Sequence, residues 1–263
     1  MRKLASAFVT LILFTFVTNS RALTSPTSVT YTGSANSNVK GEKGVVLKTI
    51  ATFTVSNLDL VITLSNLSTN DARTPSDILT AIFFDSNTPL NLTRGSVTVP
   101  NPGNNIIGHR LPLGFDWDVS GQWAYNGDLP DSAPGDYGLS STKFTYFKKG
   151  SLFSDIKIPG TSPLSGPQFG ITTLNDMMAN DQGSIKNVGL IQNTVQLVLD
   201  GLPQNFTLAD ITDVTFVYGT NIKKGISVAG QMVSQIPEPS TLSLVATGLV
   251  GALALVRSRT RRR

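Results

Sequence analysis

Few side chains in this sequence are suited to catalysis. The chain has one histidine, His109, and no cysteine. A Ser-His-Asp triad needs a histidine held by a carboxylate beside a nucleophile, and no Gly-x-Ser-x-Gly elbow accompanies this residue. Zinc sites draw mainly on histidine and cysteine, so zinc chemistry is disfavoured as well. The residue types therefore predict a protein that is not an enzyme.

One acidic segment has the spacing of a cation-binding loop. The run Asp116-Trp117-Asp118-Val119-Ser120-Gly121 places side-chain oxygens at alternate positions before a turn-forming glycine, as at the start of an EF-hand. The twelfth position is Gly127 rather than a bidentate glutamate. Asp and Gly also form ordinary polar hairpin edges. Calcium held by Asp116, Asp118 and Ser120 is thus one hypothesis, and a polar turn without metal is the other.

Further carboxylates near this loop leave a hydrolase open as a third option. Glycosidases need two opposed carboxyl groups, and Asp116, Asp118, Asp128 and Asp136 lie within 21 positions of one another. Their spacing alone pairs none of them. The hydrolase therefore stays an alternative without assigned residues.

Three aromatic residues occupy alternate positions in the same region. Trp117, Trp123 and Tyr125 fall on odd positions, and alternate residues of a strand share one face of a sheet. Such a face is either a platform that stacks on sugar rings or part of a hydrophobic core. Because buried aromatic faces are the commoner use of this pattern, we expect a core.

The elements that must position these residues are predicted to be β-strands. The segment between the two termini is rich in Thr, Ser, Asn, Gly and Val, and contains only two glutamates, Glu42 and Glu238. Good surface-helix formers are therefore scarce. Short alternating or apolar runs separated by turn residues are typical of an antiparallel β-sandwich. The clearest runs are Ser28–Thr32, Val45–Ser56, Leu58–Leu64, Ile78–Phe84, Gly95–Val99, Thr194–Leu199, Val214–Tyr218 and Ile226–Val233.

Two smaller elements are predicted in the middle of the chain. Lys143–Phe147 and Leu152–Ile158 are expected to form a hairpin, and Leu174–Asn180 a short helix with Thr173 as its N-cap. An all-β domain over residues 23–235 is long enough to bury a core without disulfides.

The first 22 residues have the layout of a cleavable secretory signal. Arg2 and Lys3 precede an apolar run from Ala5 to Val17, and Ser20-Arg21-Ala22 supplies small residues at the two positions that signal peptidase reads. The run is too short for an ordinary membrane span. We therefore expect cleavage after Ala22.

The last 28 residues, 236–263, have a second targeting layout. Pro237 and Pro239 lack amide donors and disfavour helix before them, so Ile236–Pro239 is expected to be extended and exposed. The uncharged run that follows is predicted to form a transmembrane helix over 242–256, about 24 Å long if Thr241 is included and so shorter than the ~30 Å hydrocarbon core. Arginine stems can extend it by snorkelling. Cationic residues are retained on the cytoplasmic side, and here they are Arg257, Arg259, Arg261, Arg262 and Arg263.

These tail features resemble the PEP-CTERM sorting signal of Gram-negative bacteria. The resemblance rests on Pro237-Glu238-Pro239-Ser240-Thr241, the apolar run and the terminal arginines, which cover about one tenth of the chain. It implies recognition of the tripeptide by exosortase, a membrane-embedded, cysteine transpeptidase-like enzyme. It also implies release or attachment at the cell surface, often alongside exopolysaccharide production. Ile78–Asp85 and Val214–Thr220 are similar to stretches of XDD-type exosortase-dependent surface proteins, a family that supplies no site residues.

The charge distribution excludes nucleic acid as a partner. The whole chain has a formal charge of +4, but 8 of its 21 basic residues lie in the two targeting segments. Between Leu23 and Pro239 the remaining 13 stand against all 17 acidic residues, which gives that interval a net charge of −4 and no basic stripe. We therefore expect an exported structural or adhesive protein, held briefly in the inner membrane and linked to exopolysaccharide. A carbohydrate-binding module, with or without calcium, is the alternative.

Overall fold

The computed structural model describes residues 26–37, 45–100, 105–108, 117–146, 150–153, 164, 166–176 and 185–237. Over these ranges the chain forms two stacked β-sheets and a separate two-stranded sheet, and contains no α-helix, which confirms the predicted all-β sandwich. Its strands are β1 Pro26–Asn36, β2 Val46–Ser56, β3 Asp59–Asn66, β4 Leu79–Ser86, β5 Thr93–Thr98, β6 Ile106–Ile107, β7 Ala124–Asn126, β8 Tyr137–Ser140, β9 Thr145–Tyr146, β10 Gly150–Ser151, β11 Ile171–Thr172, β12 Leu190–Gln192, β13 Thr194–Asp200, β14 Ile211–Tyr218, β15 Ile226–Ala229 and β16 Gln231–Pro237.

The six-stranded sheet is regular, and its strand order is β16-β1-β2-β3-β13-β5. Its neighbours pair antiparallel throughout. The predicted alternation is confirmed along β3, where Leu60, Ile62 and Leu64 are fully buried on one face. Leu58 does not continue that face, because Asn57 adopts a positive φ of 57° in the turn between β2 and β3, and Leu58 is half exposed.

The eight-stranded sheet is built around β4, which pairs with β14 on one side and with β8 and β11 on the other. All six residues from Leu79 to Phe84 are buried, as the uninterrupted apolar run predicts. They are buried because both faces of this sheet are covered. One face meets the six-stranded sheet, and the other is covered by a cluster around Phe83 that includes Phe144 and Phe153.

The main core lies between the two sheets. Phe53 of β2 makes edge-to-face contacts with Tyr31 of β1 and Phe84 of β4, at ring-centroid distances of 5.7 and 5.6 Å. Edge-to-face geometry matches the positive ring edge to the negative face. Trp123 is fully buried in the same core, and its indole N–H donates to the Phe169 carbonyl at 3.0 Å.

Single residues carry the chain from one sheet to the other at two points. Asn193, with a φ of 71°, separates β12 of the eight-stranded sheet from β13 of the six-stranded sheet. Gly230 likewise separates β15 from β16, and its N–H donates to the Val214 carbonyl at 2.7 Å. A Cβ at Gly230 would lie 3.0 Å from that carbonyl oxygen. The predicted single strand Ile226–Val233 is therefore two strands in different sheets.

The same local device introduces two paired strands. Thr74 and Asp77 close a capping box over a short 3₁₀ helix before β4, and Thr207 and Asp210 do so before β14. In each box the aspartate Oδ2 accepts both the threonine N–H and its hydroxyl. The side chains thereby satisfy donors that the short helices leave open, and they fix where each strand begins.

The middle of the chain departs from the sequence prediction. The predicted hairpin is wrong in its second strand, because β9 pairs with β10, which lies before Leu152. At the start of the predicted strand Leu152–Ile158, Leu152 and Phe153 form a turn, and its other residues lie outside the described ranges. A turn closed by the Asp176 N–H on the Thr173 carbonyl occupies the start of the predicted helix Leu174–Asn180, whose last four residues lie outside the described ranges. Trp117–Tyr125 is not one strand, because Trp117 has a φ of 63° and a 3₁₀ turn spans Ser120–Gln122.

Candidate processing site at the end of the last strand

The sorting tripeptide begins inside the folded sheet. Strand β16 pairs antiparallel with β1, and its last residue, Pro237, lies opposite Pro26. Ile236 lies opposite Ser28 and Gln235 opposite Val29. The first two residues of the predicted tail, Ile236 and Pro237, are therefore extended, as expected, and belong to the sandwich rather than to a linker.

The ladder is irregular where it meets the tripeptide. Its register shifts between Pro26 and Ser28 and again between Thr30 and Tyr31. Neither Pro26 nor Pro237 has a backbone N–H, so this last pair has no amide donor on either strand. Two prolines facing each other end the hydrogen bonding here, and the strand pairing is weakest beside the tripeptide.

Strand β16 is the edge of its sheet. It pairs with β1 on one side, and over the described ranges no strand lies on the other. Its side chains Gln231, Met232 and Val233 are exposed, Met232 by 47% and Val233 by 57%. An edge strand of this kind presents backbone groups to any partner that binds in extended form.

The other predicted targeting residues lie outside the described ranges. They are the signal segment 1–22, Glu238, Pro239, the predicted transmembrane helix 242–256, and the arginines 257, 259, 261, 262 and 263. In the part of the chain that the structure describes, no helix is long and apolar enough to cross a bilayer.

Two of the three calcium candidates, Asp118 and Ser120, are described, and both make protein hydrogen bonds. Asp118 Oδ1 accepts the Ser120 N–H at 2.7 Å, and Ser120 Oγ accepts the Val97 N–H, also at 2.7 Å. These bonds attach the turn to β5, beside an isolated bridge between Thr98 and Asp118. The third candidate, Asp116, and the lone histidine, His109, lie outside the described residues.

A cation of the protein itself reaches this turn, which the sequence did not reveal. Arg94 of β5 donates to the carbonyls of Ser120 and Trp123. Burial lowers the pKa of the Arg94 guanidinium, and the nearby Asp118 carboxylate opposes that shift. Within the described residues no three acidic or histidine side chains converge on a point where a metal ion could bind. The described atoms thus form a polar turn stabilised by an arginine.

The aromatic residues of this region contribute to the core, as predicted. Trp123 is fully buried, and Trp117 and Tyr125 are partly buried against the same cluster. The Tyr125 hydroxyl is buried, and no partner for it is found among the described residues. The three rings therefore do not form an open platform for stacking on sugars.

Two buried carboxylates hold the loop before β4. Asp176 Oδ2 accepts the Ala72 N–H at 3.0 Å, and Asp77 Oδ2 accepts the N–H groups of Arg73 and Thr74, each at 2.9 Å. Three successive amides are therefore satisfied by two aspartates that are far from each other in sequence. Charge-assisted bonds of this kind are among the stronger ones in proteins, so the acids serve to fix the loop.

The structure also contains a cleft that sequence reasoning missed. It has a volume of about 570 Å³ and lies where β15 crosses β1 and β2. Its polar side chains come from Thr32, Ser34, Lys48, Thr49, Ser227 and Gln231, and its apolar surface from Ala35, Leu67, Val228 and Ala229. These residues are far apart in sequence and meet only in the folded protein, so no sequence motif predicts the cleft.

A network of buried polar groups lies beneath the cleft. The Tyr218 hydroxyl donates to the Lys48 carbonyl at 3.0 Å, and the Lys48 N–H donates to Ser68 Oγ at 2.9 Å. Thr49 Oγ1 donates to the Ser65 carbonyl at 2.9 Å. Because burial raises the pKa of Tyr218, this hydroxyl keeps its proton and its donor role at physiological pH. The Tyr218 bond joins the two sheets beside the cleft.

The fold and this strand end define an all-β domain joined directly to a C-terminal sorting segment. The sequence model of the PEP-CTERM protein-sorting motif matches residues 235–262. The chain therefore carries a PEP-CTERM sorting motif, the signal of exported proteins that exosortase processes and directs to the cell surface. The match covers only the end of β16 and the residues after it, so it does not bear on the XDD type, which stays a prediction. No curated protein and no solved structure matches this chain.

Proposed function

We propose that the sandwich is a structural or adhesive domain of the cell surface or extracellular matrix, linked to exopolysaccharide and without enzymatic activity. The observation that supports this proposal is that the matched motif begins within the last strand, at Gln235, two residues before β16 ends at Pro237. A domain fused directly to its own sorting signal is the cargo of that signal.

The same proposal assigns two processing enzymes to the chain. Signal peptidase cuts after Ala22, and exosortase acts at Pro237-Glu238-Pro239 while the helix over 242–256 holds the precursor in the inner membrane. The five arginines keep the far end of that helix in the cytoplasm, because their transfer across the bilayer is costly. The mature protein then consists of the sandwich with few residues beyond either of its ends.

Intact-mass measurement of the protein recovered from native cells tests this proposal. The mature species is expected to lack mass at both ends, and replacing Pro237-Glu238-Pro239 by three alanines is expected to leave the precursor in the membrane fraction. The matched control replaces Gln231-Met232-Val233 by alanines in the same strand and is expected to mature normally. A secreted species that retains Arg263 would overturn the proposal.

The cleft favours a second candidate function, carbohydrate binding. Its volume of about 570 Å³ lies in the range of small-ligand sites, roughly 300–1,000 Å³. Hydroxyl, amide and ammonium groups from Ser34, Gln231 and Lys48 line it. The cleft lies along β1 from Thr32 to Ala35. At about 3.3 Å per residue, Thr32 is some 20 Å along the strand from Pro26, and therefore from the sorting tripeptide. A polysaccharide could therefore enter it while the tripeptide end faces the membrane.

Titration calorimetry of the mature protein with oligosaccharides from the native polysaccharide tests this second candidate. Lys48→Gln and Gln231→Ala are each expected to weaken binding about tenfold, which corresponds to ~1.4 kcal/mol. Lys224→Gln, on the exposed turn after β14, is the matched control and is expected to bind normally. An unchanged heat with EDTA separates this site from the calcium hypothesis. Equal affinity of all variants would remove the cleft as the binding site.

A further inference from the structure

We propose that β16 must detach from β1 over its whole length before the sorting tripeptide is processed, so that the β1–β16 ladder controls access to the motif. The inference rests on the proposed exosortase processing and adds a condition to it. It follows from three observations: the length of the tether, the blocked edge of the strand, and the weakness of the ladder.

The tether between the folded domain and the membrane is short. Pro237 is paired with Pro26, and the apolar run begins at Leu242, so five residue steps separate them. A fully extended chain of that length reaches at most about 18 Å. Because one helix with its side chains is already ~10–12 Å in diameter, little space remains for an enzyme between the folded domain and the membrane. With all of β16 released, twelve steps separate Gly230 from Leu242, and the reach rises to about 42 Å.

The paired strand also presents only one of its two edges. Strand addition would use that one open edge, whereas an enzyme that encloses an extended peptide in a cleft must reach both of its edges. Strand β1 occupies one side of β16 as far as Pro237. Binding in a closed cleft is therefore incompatible with the paired form.

The ladder is suited to opening without loss of the fold. It has two register shifts, and its last pair is Pro26 with Pro237, which have no amide to donate. The described side chains of β16 are exposed, whereas Val29 and Tyr31 of β1 stay in the core through nine unbroken pairs with β2. Releasing the described residues Gln231, Met232 and Val233 thus costs edge hydrogen bonds, at about 0.5–1.5 kcal/mol each, and removes no buried side chain from the main core.

A disulfide between β1 and β16 tests the proposal in the full-length chain. Thr30 and Ser234 are register partners, and antiparallel partners have Cα distances that a disulfide can bridge. The chain has no cysteine of its own, so Thr30→Cys with Ser234→Cys can form only this bond. The matched control is Thr54→Cys with Val61→Cys, a register pair between β2 and β3.

The measured quantity is the fraction of precursor converted in cells, with disulfide formation checked by thiol labelling. The Thr30–Ser234 lock is expected to lower conversion at least tenfold and a reductant to restore it, while the control pair converts as the parent does. Inserting eight Gly and Ser residues between Ser234 and Gln235 of the locked chain is expected to restore conversion without reductant. Normal conversion of the locked chain overturns the proposal. A parent chain that is not converted at all instead overturns the proposed function.

Discussion

Strand β1 pairs with two neighbours, β2 and β16, and the two ladders differ. Nine consecutive residues of β1, Ser28–Asn36, pair with β2 without a break. Six pair with β16, and the register shifts twice. The same strand thus has one regular side and one irregular side. The sorting tripeptide continues from the irregular one.

Burial explains the difference between the two sides. Strand β2 contributes Leu47, Ala51 and Phe53 to the core, so its position is fixed by packing as well as by hydrogen bonds. The three β16 side chains whose burial is described, Gln231, Met232 and Val233, are exposed, so their attachment depends mainly on backbone pairing. Side-chain packing therefore stabilises the β2 side more than this part of the β16 side.

Replacing Phe53 by alanine is expected to have the largest effect on stability. The ring is fully buried and contacts Tyr31 and Phe84, and such a truncation costs about 3–5 kcal/mol. Urea unfolding of the mature domain measures it. Val55→Ala in the same strand is the control, since Val55 is 43% exposed. A loss for Phe53→Ala below that of the control would contradict the packing of β2.

Alkaline pH is expected to lower the free energy of unfolding, because Tyr218 of β14 loses the proton that it donates to the Lys48 carbonyl of β2. Burial raises the pKa of its hydroxyl, so the folded protein holds that proton more tightly than the unfolded chain, whose tyrosines titrate near pH 10. Its contribution to stability is therefore complete below about pH 10 and is lost as the pH rises through the folded pKa. Unfolding free energies between pH 8 and about 11.5 measure this loss.

Tyr218→Phe supplies the comparison for that pH series. It removes the bond to the Lys48 carbonyl, at a cost of about 1 kcal/mol at neutral pH, and is expected to flatten the alkaline slope. Tyr125 and Tyr31 contribute to the residual slope, because burial raises the pKa of each hydroxyl and Asp213 raises that of Tyr31 further. An unchanged slope in Tyr218→Phe would show that other groups are responsible.

Breaking the capping box before β14 is expected to lower the stability by a smaller amount. The change also affects β1, because the start of β14 is hydrogen-bonded to Tyr31. Asp210 and Thr207 fix the start of β14, where the Ile211 carbonyl accepts the Tyr31 hydroxyl at 2.7 Å. Asp210→Ala is expected to cost about 1 kcal/mol, measured by thermal unfolding. Thr207→Ser retains the hydroxyl and is expected to cost only a few tenths of that. Equal losses would mean that the box itself does not carry the effect.

The smallest effect is expected on β16 itself. Val233→Thr should change stability by no more than about 0.5 kcal/mol, because the side chain is largely exposed. Val29→Thr in the core of β1 should cost clearly more, since it buries a hydroxyl. Denaturant midpoints of the two variants give the comparison. A loss above ~1.5 kcal/mol in Val233→Thr would show that β16 is held by side-chain packing after all.

The sequence predicted the class of fold because its strands have strong local patterns. The dense apolar run Ile78–Phe84 is typical of a strand covered on both faces, and Leu60, Ile62 and Leu64 alternate cleanly. The passages between sheets at Asn193 and Gly230 could not be predicted, because each uses a single residue. Ile226–Val233 retains strand composition throughout, and only tertiary contacts at Gly230 divide it.

The candidate sites likewise differ in how much of each could be predicted from the sequence. Pro237-Glu238-Pro239 could be found from sequence because its features are contiguous and ordered. The position of Pro237 inside a strand could not, since its partner Pro26 lies 211 positions away. The cleft and the Arg94 contact to the Ser120 turn were missed for the same reason. Side chains that converge from distant strands leave no local pattern.

The adjacency of Pro26 and Pro237 has a practical consequence for the topology of the domain. Since the two ends leave from one corner, a short bridge could join them, and the chain could be reopened at the exposed turn Asn57–Leu58 between β2 and β3. A circular permutant made in this way keeps every strand pairing. By the same reasoning, the whole sandwich could be grafted into a surface loop of an unrelated host without separating the host's own ends.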